Sequence, residues 1–322
     1  NQAHQINQIN TTSELKKINT VQGLGTIFKT SINNFNTYNE NVKGAKENMN
    51  NDIYLTLAIE NSYPLVKYND KIEQSISPIL FSKYTTGSME DASSQNKTLN
   101  YHDIFSMDRT TSLTTIETGA SVGYGFEYNI NKKDLNNNVY LDAGFSIGQI
   151  VKENKLKQMP ENSSLQEKKS DYMGNSSFKI KTEKFNNSAF NIDYNYIVNN
   201  NFNALMKNEI VTSFKNSHNE LGLVFYEENK IGDKHYVEGN YKRKFNDSLN
   251  FSMGIRKNLQ EGFTERNFIE TNYESDCLKI GLNLSKKFYQ DGELKPSNNL
   301  TFSIVLKPFG SPVAPDLSSF LN

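Results

Sequence analysis

Apolar and polar residues alternate along most of this chain with a period of two. Ile53, Leu55, Leu57 and Ile59 share one side of an extended segment, and Leu141, Ala143, Phe145 and Ile147 share one side of another. Phe190, Ile192, Tyr194 and Tyr196 oppose Asn191, Asp193 and Asn195, while Leu249, Phe251, Met253 and Ile255 oppose Asn250, Ser252, Gly254 and Arg256. Leu278, Ile280, Leu282 and Leu284 stand against Lys279, Gly281, Asn283 and Ser285. The last such segment sets Leu300, Phe302, Ile304 and Leu306 against Thr301, Ser303 and Lys307. No segment of comparable length favours the helical period. The pattern predicts an all-β antiparallel meander of about fourteen strands. They are 20–38, 52–66, 71–84, 113–130, 138–152, 175–185, 188–199, 202–214, 217–229, 234–246, 248–258, 264–275, 277–290 and 297–308.

The connections between these segments sort by length. The three long ones, 39–51, 85–112 and 153–174, fall on one side of the meander, and the opposite side is mostly tight turns such as Asn186-Asn187. Long loops on one side and short turns on the other are the habit of transmembrane β-barrels, whereas a soluble sandwich has no cause to separate them. The expected fold is therefore an antiparallel transmembrane β-barrel, with about fourteen strands of a larger barrel that is open and incomplete as given. Residues 1–19 read as a flexible lead-in, 20–310 as the barrel and 311–322 as a tail. Pro78 lies inside a strand and removes a ladder donor, so weakened pairing is expected beside it.

The segment from Asn100 to Tyr128 sharpens the picture. Ala120, Val122, Tyr124, Phe126 and Tyr128 line one face of its strand; Gly119, Ser121, Gly123, Gly125 and Glu127 line the other. The second face is nearly bare of side chains, as expected of a wall around a wide, wet cavity, and the first then faces lipid.

Composition agrees with two solvents. Only 36% of residues are hydrophobic, yet 17 Tyr and 20 Phe are present. A disordered chain would not carry so many aromatics, and a barrel needs apolar residues on its lipid side alone. The formal net charge is −1, which offers no global field for nucleic acid. No run reaches the ~18 apolar residues of a spanning helix. The chain opens on Asn1 with no charged-then-apolar leader, as expected of a processed protein or of the C-terminal part of a longer one.

Candidate chemistry is sparse. Gly119-Ala120-Ser121-Val122-Gly123 matches G-x-S-x-G, but a nucleophile elbow needs a strand-to-helix turn, and here the motif runs straight through an alternating strand. His4, His102, His218 and His235 are scattered without metal-site spacing. Asp91, Asp103, Asp108 and Glu117 read as a solvated acidic loop, with binding of divalent cations or cation-bridged head groups as the alternative. Lys179 with Lys181, and Lys242 with Lys244, share strand faces and either solvate a lumen or handle an anionic glycolipid. No cofactor, no metal and no enzyme activity are expected. The lone Cys277 permits no internal disulfide.

Several boxes, taken in order, resemble the lipopolysaccharide-assembly protein family LptD (also OstA or Imp), most closely its alphaproteobacterial members. Glu90-Asp91 resembles the family's acidic segment. Asp103-Ile104-Phe105-Ser106-Met107-Asp108-Arg109 is similar to its N-L-F-x-x-x-R box. Leu113-Thr114-Thr115-Ile116-Glu117-Thr118-Gly119 is similar to L-D-R-x-E-x-G, with Thr114 and Thr115 in place of Asp-Arg, so the salt bridge expected there is absent. Ser170-Asp171-Tyr172-Met173-Gly174 resembles the family's S-D-Y-V-G lead into a strand. Ser275-Asp276-Cys277-Leu278 resembles its cysteine site, and Leu300–Phe309 its closing strand. The match in order and spacing covers roughly residues 20–310; the family's periplasmic jellyroll has no counterpart here.

The resemblance implies an outer-membrane translocon that inserts lipopolysaccharide through a barrel lumen and a lateral gate. One lip of that gate is the strand of Leu300, Phe302, Ile304, Leu306 and Pro308. It implies partners as well: lipopolysaccharide, an LptE-like plug lipoprotein, a periplasmic bridge reached through the missing N-terminal domain, and outer-membrane lipid. It places Cys277 to bond the periplasmic domain. The alternatives are a self-closed outer-membrane porin or fatty-acid channel, an outer-membrane phospholipase, and a secreted Asn-rich β protein. Closure of the first strand on the last would favour the channel.

Overall fold

A computed structural model of the chain describes residues 5–40, 48–93, 98–110, 112, 114–135, 138–161, 163–182, 188–229, 233–288 and 296–307. Among them sixteen strands form one antiparallel sheet. The first five are β1 (Gln5–Val21), β2 (Leu24–Glu40), β3 (Asn48–Ser62), β4 (Leu65–Asn69) and β5 (Ile72–Thr85). A 3₁₀ turn, His102–Phe105, precedes β6 (Gly119–Lys133), β7 (Val139–Lys152), β8 (Tyr172–Thr182), β9 (Ser188–Val198) and β10 (Leu205–Lys215). The sheet ends with β11 (Asn219–Glu228), β12 (Lys234–Lys244), β13 (Leu249–Asn258), β14 (Thr264–Glu274), β15 (Leu278–Lys287) and β16 (Ser297–Leu306). Neighbours in sequence are neighbours in space, and among the described residues β1 and β16 do not pair, so the sheet stays open.

β3 and β4 act as one strand along β5, interrupted at Tyr63-Pro64. Register is kept across the gap, Ser62 facing Ile79 and Leu65 facing Ile76. The gap lies opposite Pro78, whose carbonyl accepts the Tyr63 N–H at 3.2 Å. The loss of pairing expected beside Pro78 is thus real, and Pro64 on the facing strand deepens it.

Two expectations are corrected. Residues 5–21 are not a flexible lead-in: they form β1, paired with β2 along its whole length. The hairpin turns on Gln22 (φ 49°) and Gly23 (φ 86°), two successive positive φ values that match the twist of a two-residue turn. β1 is too polar for its alternation to be read, and backbone pairing alone defines it. The strand expected over 113–130 starts only at Gly119, because the residues before it are drawn into a buried loop. Gly119 itself has φ +87°, a left-handed conformation that glycine adopts without the penalty of a Cβ. The Asn186-Asn187 turn, Pro308 and 311–322 lie outside the described residues.

Register fixes the two faces. Phe28 pairs with Ile59, Ser82 with Val122, and Val122 with Val151 on the outer face; Met253, Ile269, Leu284 and Leu300 continue that face across β13–β16. Leu57, Ile59, Leu80, Val122, Tyr124, Phe126, Leu223, Ile255, Ile269 and Leu284 are all exposed there. So broad an apolar surface is untenable in water and appropriate to lipid. Lys179, Lys181, Lys242 and Lys244 fall on the opposite, inner face with Asn191, Asp193 and Ser252.

One loop, 86–118, places Glu117 against Lys83 of β5 and Thr98 against Glu228 of β11. Along a sheet those strands are six spacings apart, roughly 30 Å, so the loop lies across most of the inner wall from β5 to β11. The buried core sits between this loop, its neighbour 153–171 and the inner wall: Leu99, Tyr101, Ile104, Leu156 and Leu165 pack on Ile150, Met173 and Ile197.

Candidate functional site: a loop docked on the inner wall

The loop 86–118 is held by a small-residue groove and a buried ion-pair network. The groove is the glycine face of β6. A Cβ on Gly123 would come within 2.7 Å of both the Ile104 carbonyl oxygen and its side chain, and one on Gly125 within 3.2 Å of the Phe105 ring. Gly148 of β7, across from Gly125, likewise leaves room for Ile104. The face expected to border open water is therefore, at Gly123 and Gly125, a seat for the loop. Bare backbone lets the 3₁₀ turn approach closely enough to bury Ile104 completely.

The network centres on Glu117. Its carboxylate accepts Lys83 Nζ at 2.8 Å and Arg109 Nη1 at 3.1 and 3.2 Å. Arg109 Nη1 also donates to Ser121 Oγ (3.0 Å), Nη2 to the Ile104 carbonyl (2.8 Å) and Nε to the Asp103 carbonyl (3.2 Å). Lys83 Nζ also donates to the Met107 carbonyl at 2.9 Å. All three charged side chains are essentially inaccessible. Burial alone would raise the Glu117 carboxyl; the Arg109 and Lys83 charges outweigh it and hold the group well below the usual carboxylate range. Lys152 lies within electrostatic reach of Glu117, Arg109 and Lys83, and its Nζ is buried without a hydrogen-bond partner. Lys29, Ala58, Lys83, Ser121 and Lys152 are successive cross-strand neighbours in one inner row, a row of three lysines of which Lys29 pairs with Glu60 at 2.6 Å and Lys83 with Glu117 at 2.8 Å.

A second anchor fixes the start of the loop. Tyr54 of β3 shares a hydrogen bond with Thr115 Oγ1 at 3.0 Å, and that oxygen also accepts the Glu90 N–H at 3.0 Å. Thr115 is fully buried. No salt bridge occupies the Thr114-Thr115 position, and a hydroxyl network stands there instead.

The acidic residues do not converge on one point. Asp91 is exposed; the Ser93 hydroxyl, and then the Ser93 N–H that it accepts at 2.9 Å, hold its carboxyl below the usual range. Asp103 accepts the Asn100 N–H at 2.8 Å and Asp108 the Thr110 N–H at 2.8 Å. Each closes a local turn, and among the described residues no group of three or more His, Cys, Asp or Glu could hold a metal. Ser121, the apparent elbow serine, accepts from Arg109 within an unbroken strand.

The second motif meets the first indirectly. Ser170 Oγ accepts the Ile150 N–H at 2.9 Å, and the Ser170 carbonyl accepts Gln149 Nε2 at 2.7 Å. Asp171 Oδ2 lies 3.4 Å from Ser164 Oγ. Gly174 gives space to Tyr196, whose ring a Cβ would strike at 2.2 Å. The Tyr172 ring packs, tilted by 32°, against Phe202, ring centroids 4.4 Å apart. The residues 153–171 pinned in this way contribute Leu156, Met159 and Leu165 to the same core as Ile104.

Cys277 is exposed at a short-turn end, where its carbonyl accepts the Lys307 N–H at 3.1 Å. Leu300, Phe302, Ile304 and Leu306 face outward on β16, opposite Leu284, Leu282, Ile280 and Leu278.

Lys83, Lys152 and Tyr54 were not foreseen. A signal existed: Phe81, Ile150, Met173 and Ile197 are apolar residues on the polar side of their strands, and all four are buried. Apolar positions out of phase at the long-loop ends mark where a loop folds inward.

No family model and no curated protein matches this chain. Among solved structures it is similar to a variant of Rh. blastica porin, with 11% identity over 94% of this chain and 93% of that one and a TM-score of 0.37. A triple mutant of Rhodopseudomonas blastica porin gives 10% identity, 95% and 98% coverage and a TM-score of 0.34. At such scores the likeness carries no argument about function. What the chain's own geometry establishes is an all-β protein whose single antiparallel sheet is apolar outside, polar inside and partly filled by its own loop.

Proposed function

We propose that this protein is an outer-membrane β-barrel wall that conducts polar or amphipathic cargo along its inner face. The observation that carries this reading is the two-solvent sheet: an exposed apolar exterior, and an inner face bearing Lys29, Lys179, Lys242, Asn191 and Asp193. Lipid on one side and water on the other satisfies both, and the inner strands pair their backbone without helices, leaving only the β1 and β16 edges to be satisfied. The docked loop then narrows the passage beside the lysine row of β2–β7. A channel of porin type is the simplest form of this function, and it requires a seam between β1 and β16. The test is fractionation with heat-modifiable gel mobility, followed by planar-bilayer recording. Stable conductance supports a channel; a chain found only in the aqueous fraction sinks the membrane reading.

A narrower reading is lipopolysaccharide assembly. It is favoured by the convergence of two sequence boxes, Asp103–Arg109 with Glu117 and Ser170–Gly174, on one packed unit, and by the absence of β1–β16 pairing among the described residues. In this form the sugar head travels in the lumen while the acyl chains leave sideways. Acyl burial contributes about 0.8 kcal/mol per CH₂, and the open edges of β1 and β16 are the place for that exit. Photo-crosslinkers at the inner-face residues Asn299 and Thr301 should capture lipopolysaccharide in growing cells. Steady conductance without any such crosslink would leave the channel form standing and remove this one.

A further inference from the structure

The outer face of β12–β15 is not smooth. A groove of about 530 Å³ runs across it between two cross-strand rows. Met253, Ile269 and Leu284 form one wall, each facing the next across a strand pair. The other wall begins at Gly239 and Ile255 and ends at Asn267, Lys286 and Asn298, again in register. Gly239 supplies the depth, since it places no side chain on the outer face where its row neighbours do. At about 30 Å³ per water-sized unit the space suits one acyl chain.

The groove changes chemistry along its length. Asn267, Lys286 and Asn298 are exposed on the lipid-facing side at the long-loop end of their strands, two residues beyond the apolar Ile269, Leu284 and Leu300. Lys286 Nζ lies 4.7 Å from the centroid of the Phe288 ring, a pairing of cation and aromatic suited to the depth of lipid head groups. A second outer groove, about 670 Å³ between walls that include Phe28, Ile59 and Val122, ends instead at Glu153. Similar apolar channels therefore carry opposite charges at their rims.

We propose that the β12–β15 groove is a binding site for one anionic membrane lipid, with an acyl chain along Met253, Ile269 and Ile255 and its phosphate at Lys286, Asn267 and Asn298. The proposal rests on the membrane reading above. Charge complementarity selects the occupant: the cationic rim has no acidic residue in its row, and the rival groove, ending at Glu153, disfavours the same head group. A neutral or zwitterionic lipid fits the walls but leaves Lys286 without a net counter-charge.

Native mass spectrometry of the full chain in detergent, titrated with phosphatidylglycerol or phosphatidylethanolamine, tests this. The expected result is one tightly retained phosphatidylglycerol, bound about tenfold better than phosphatidylethanolamine. Lys286→Gln, at an exposed position, should bring that ratio to about one. Gly239→Leu should weaken both lipids with heat-modifiable mobility unchanged, because its Cβ would meet only Leu223, at 3.4 Å. Equal binding of the two lipids by the unmodified protein, or a preference that survives Lys286→Gln, overturns the proposal. Failure to enter micelles at all overturns the membrane reading instead.

Discussion

At the scale of single residues, Glu117 decides whether the loop stays docked. It is the carboxylate that Lys83 and Arg109 share in a site closed to water. Removing one member of a buried ion pair leaves an uncompensated charge, typically at a cost of about 3–5 kcal/mol. Glu117→Gln should therefore release 86–118, read as accelerated amide exchange or new protease cuts confined to that loop. Adding Lys83→Met should restore part of the protection, since it removes one of the two stranded cations. Unchanged protection in Glu117→Gln would refute the role given to this carboxylate.

The pH response follows from the direction of its shift. A carboxyl whose folded value lies below its unfolded one, about 4.3 for Glu, contributes fully above the unfolded value and loses that contribution as pH falls toward the folded one. Loop protection should therefore be flat down to about pH 4 and decline progressively below it. A decline centred near pH 6 would implicate some other group.

At the scale of elements, β6 serves as a seat. Gly123→Val would drive a branched side chain into the Ile104 backbone, 2.7 Å from where its Cβ would stand. Overpacking of this kind typically costs about 1–3 kcal/mol. Here it should be relieved by displacing the loop rather than by unfolding the strand, because β6 is held by β5 on one side and β7 on the other. Single-channel conductance should rise and become noisier while heat-modifiable mobility stays intact. If the variant behaves like the parent, the loop does not narrow the passage.

At the scale of the whole molecule, the two faces should respond oppositely to charge. Leu282→Lys puts an ammonium on the lipid side of β15 and should cost about 2–4 kcal/mol if near the bilayer midplane. Asn283→Lys, the next residue, faces inward and should cost close to nothing. Chemical denaturation of refolded protein in lipid vesicles measures both. In a soluble sandwich with its apolar face packed inside, Leu282→Lys would be severe in water as well, so the same pair compared in detergent-free buffer separates the architectures.

Strand identity, the antiparallel meander and the sorting of faces were legible in the sequence, because a period of two with apolar residues on one side is a local property of each segment. The positions of β7 and of β9 through β16 follow from it to within a few residues. β1 was not legible: its residues alternate weakly, and only pairing with β2 makes them a strand. The loop boxes around Asp103–Arg109 and Glu117 could be singled out as motifs, yet their partners could not. Lys83, Tyr54 and Lys152 sit on strands far away in sequence, and nothing local distinguishes a lysine that lines water from one that neutralises a buried carboxylate. The glycine face shows the division most plainly. Sequence alone determined that it is bare and opposite the aromatics. Only the tertiary fold, which lays the loop across the inner wall from β5 to β11, decided that Gly123 and Gly125 would be filled by Ile104 and Phe105 rather than by water.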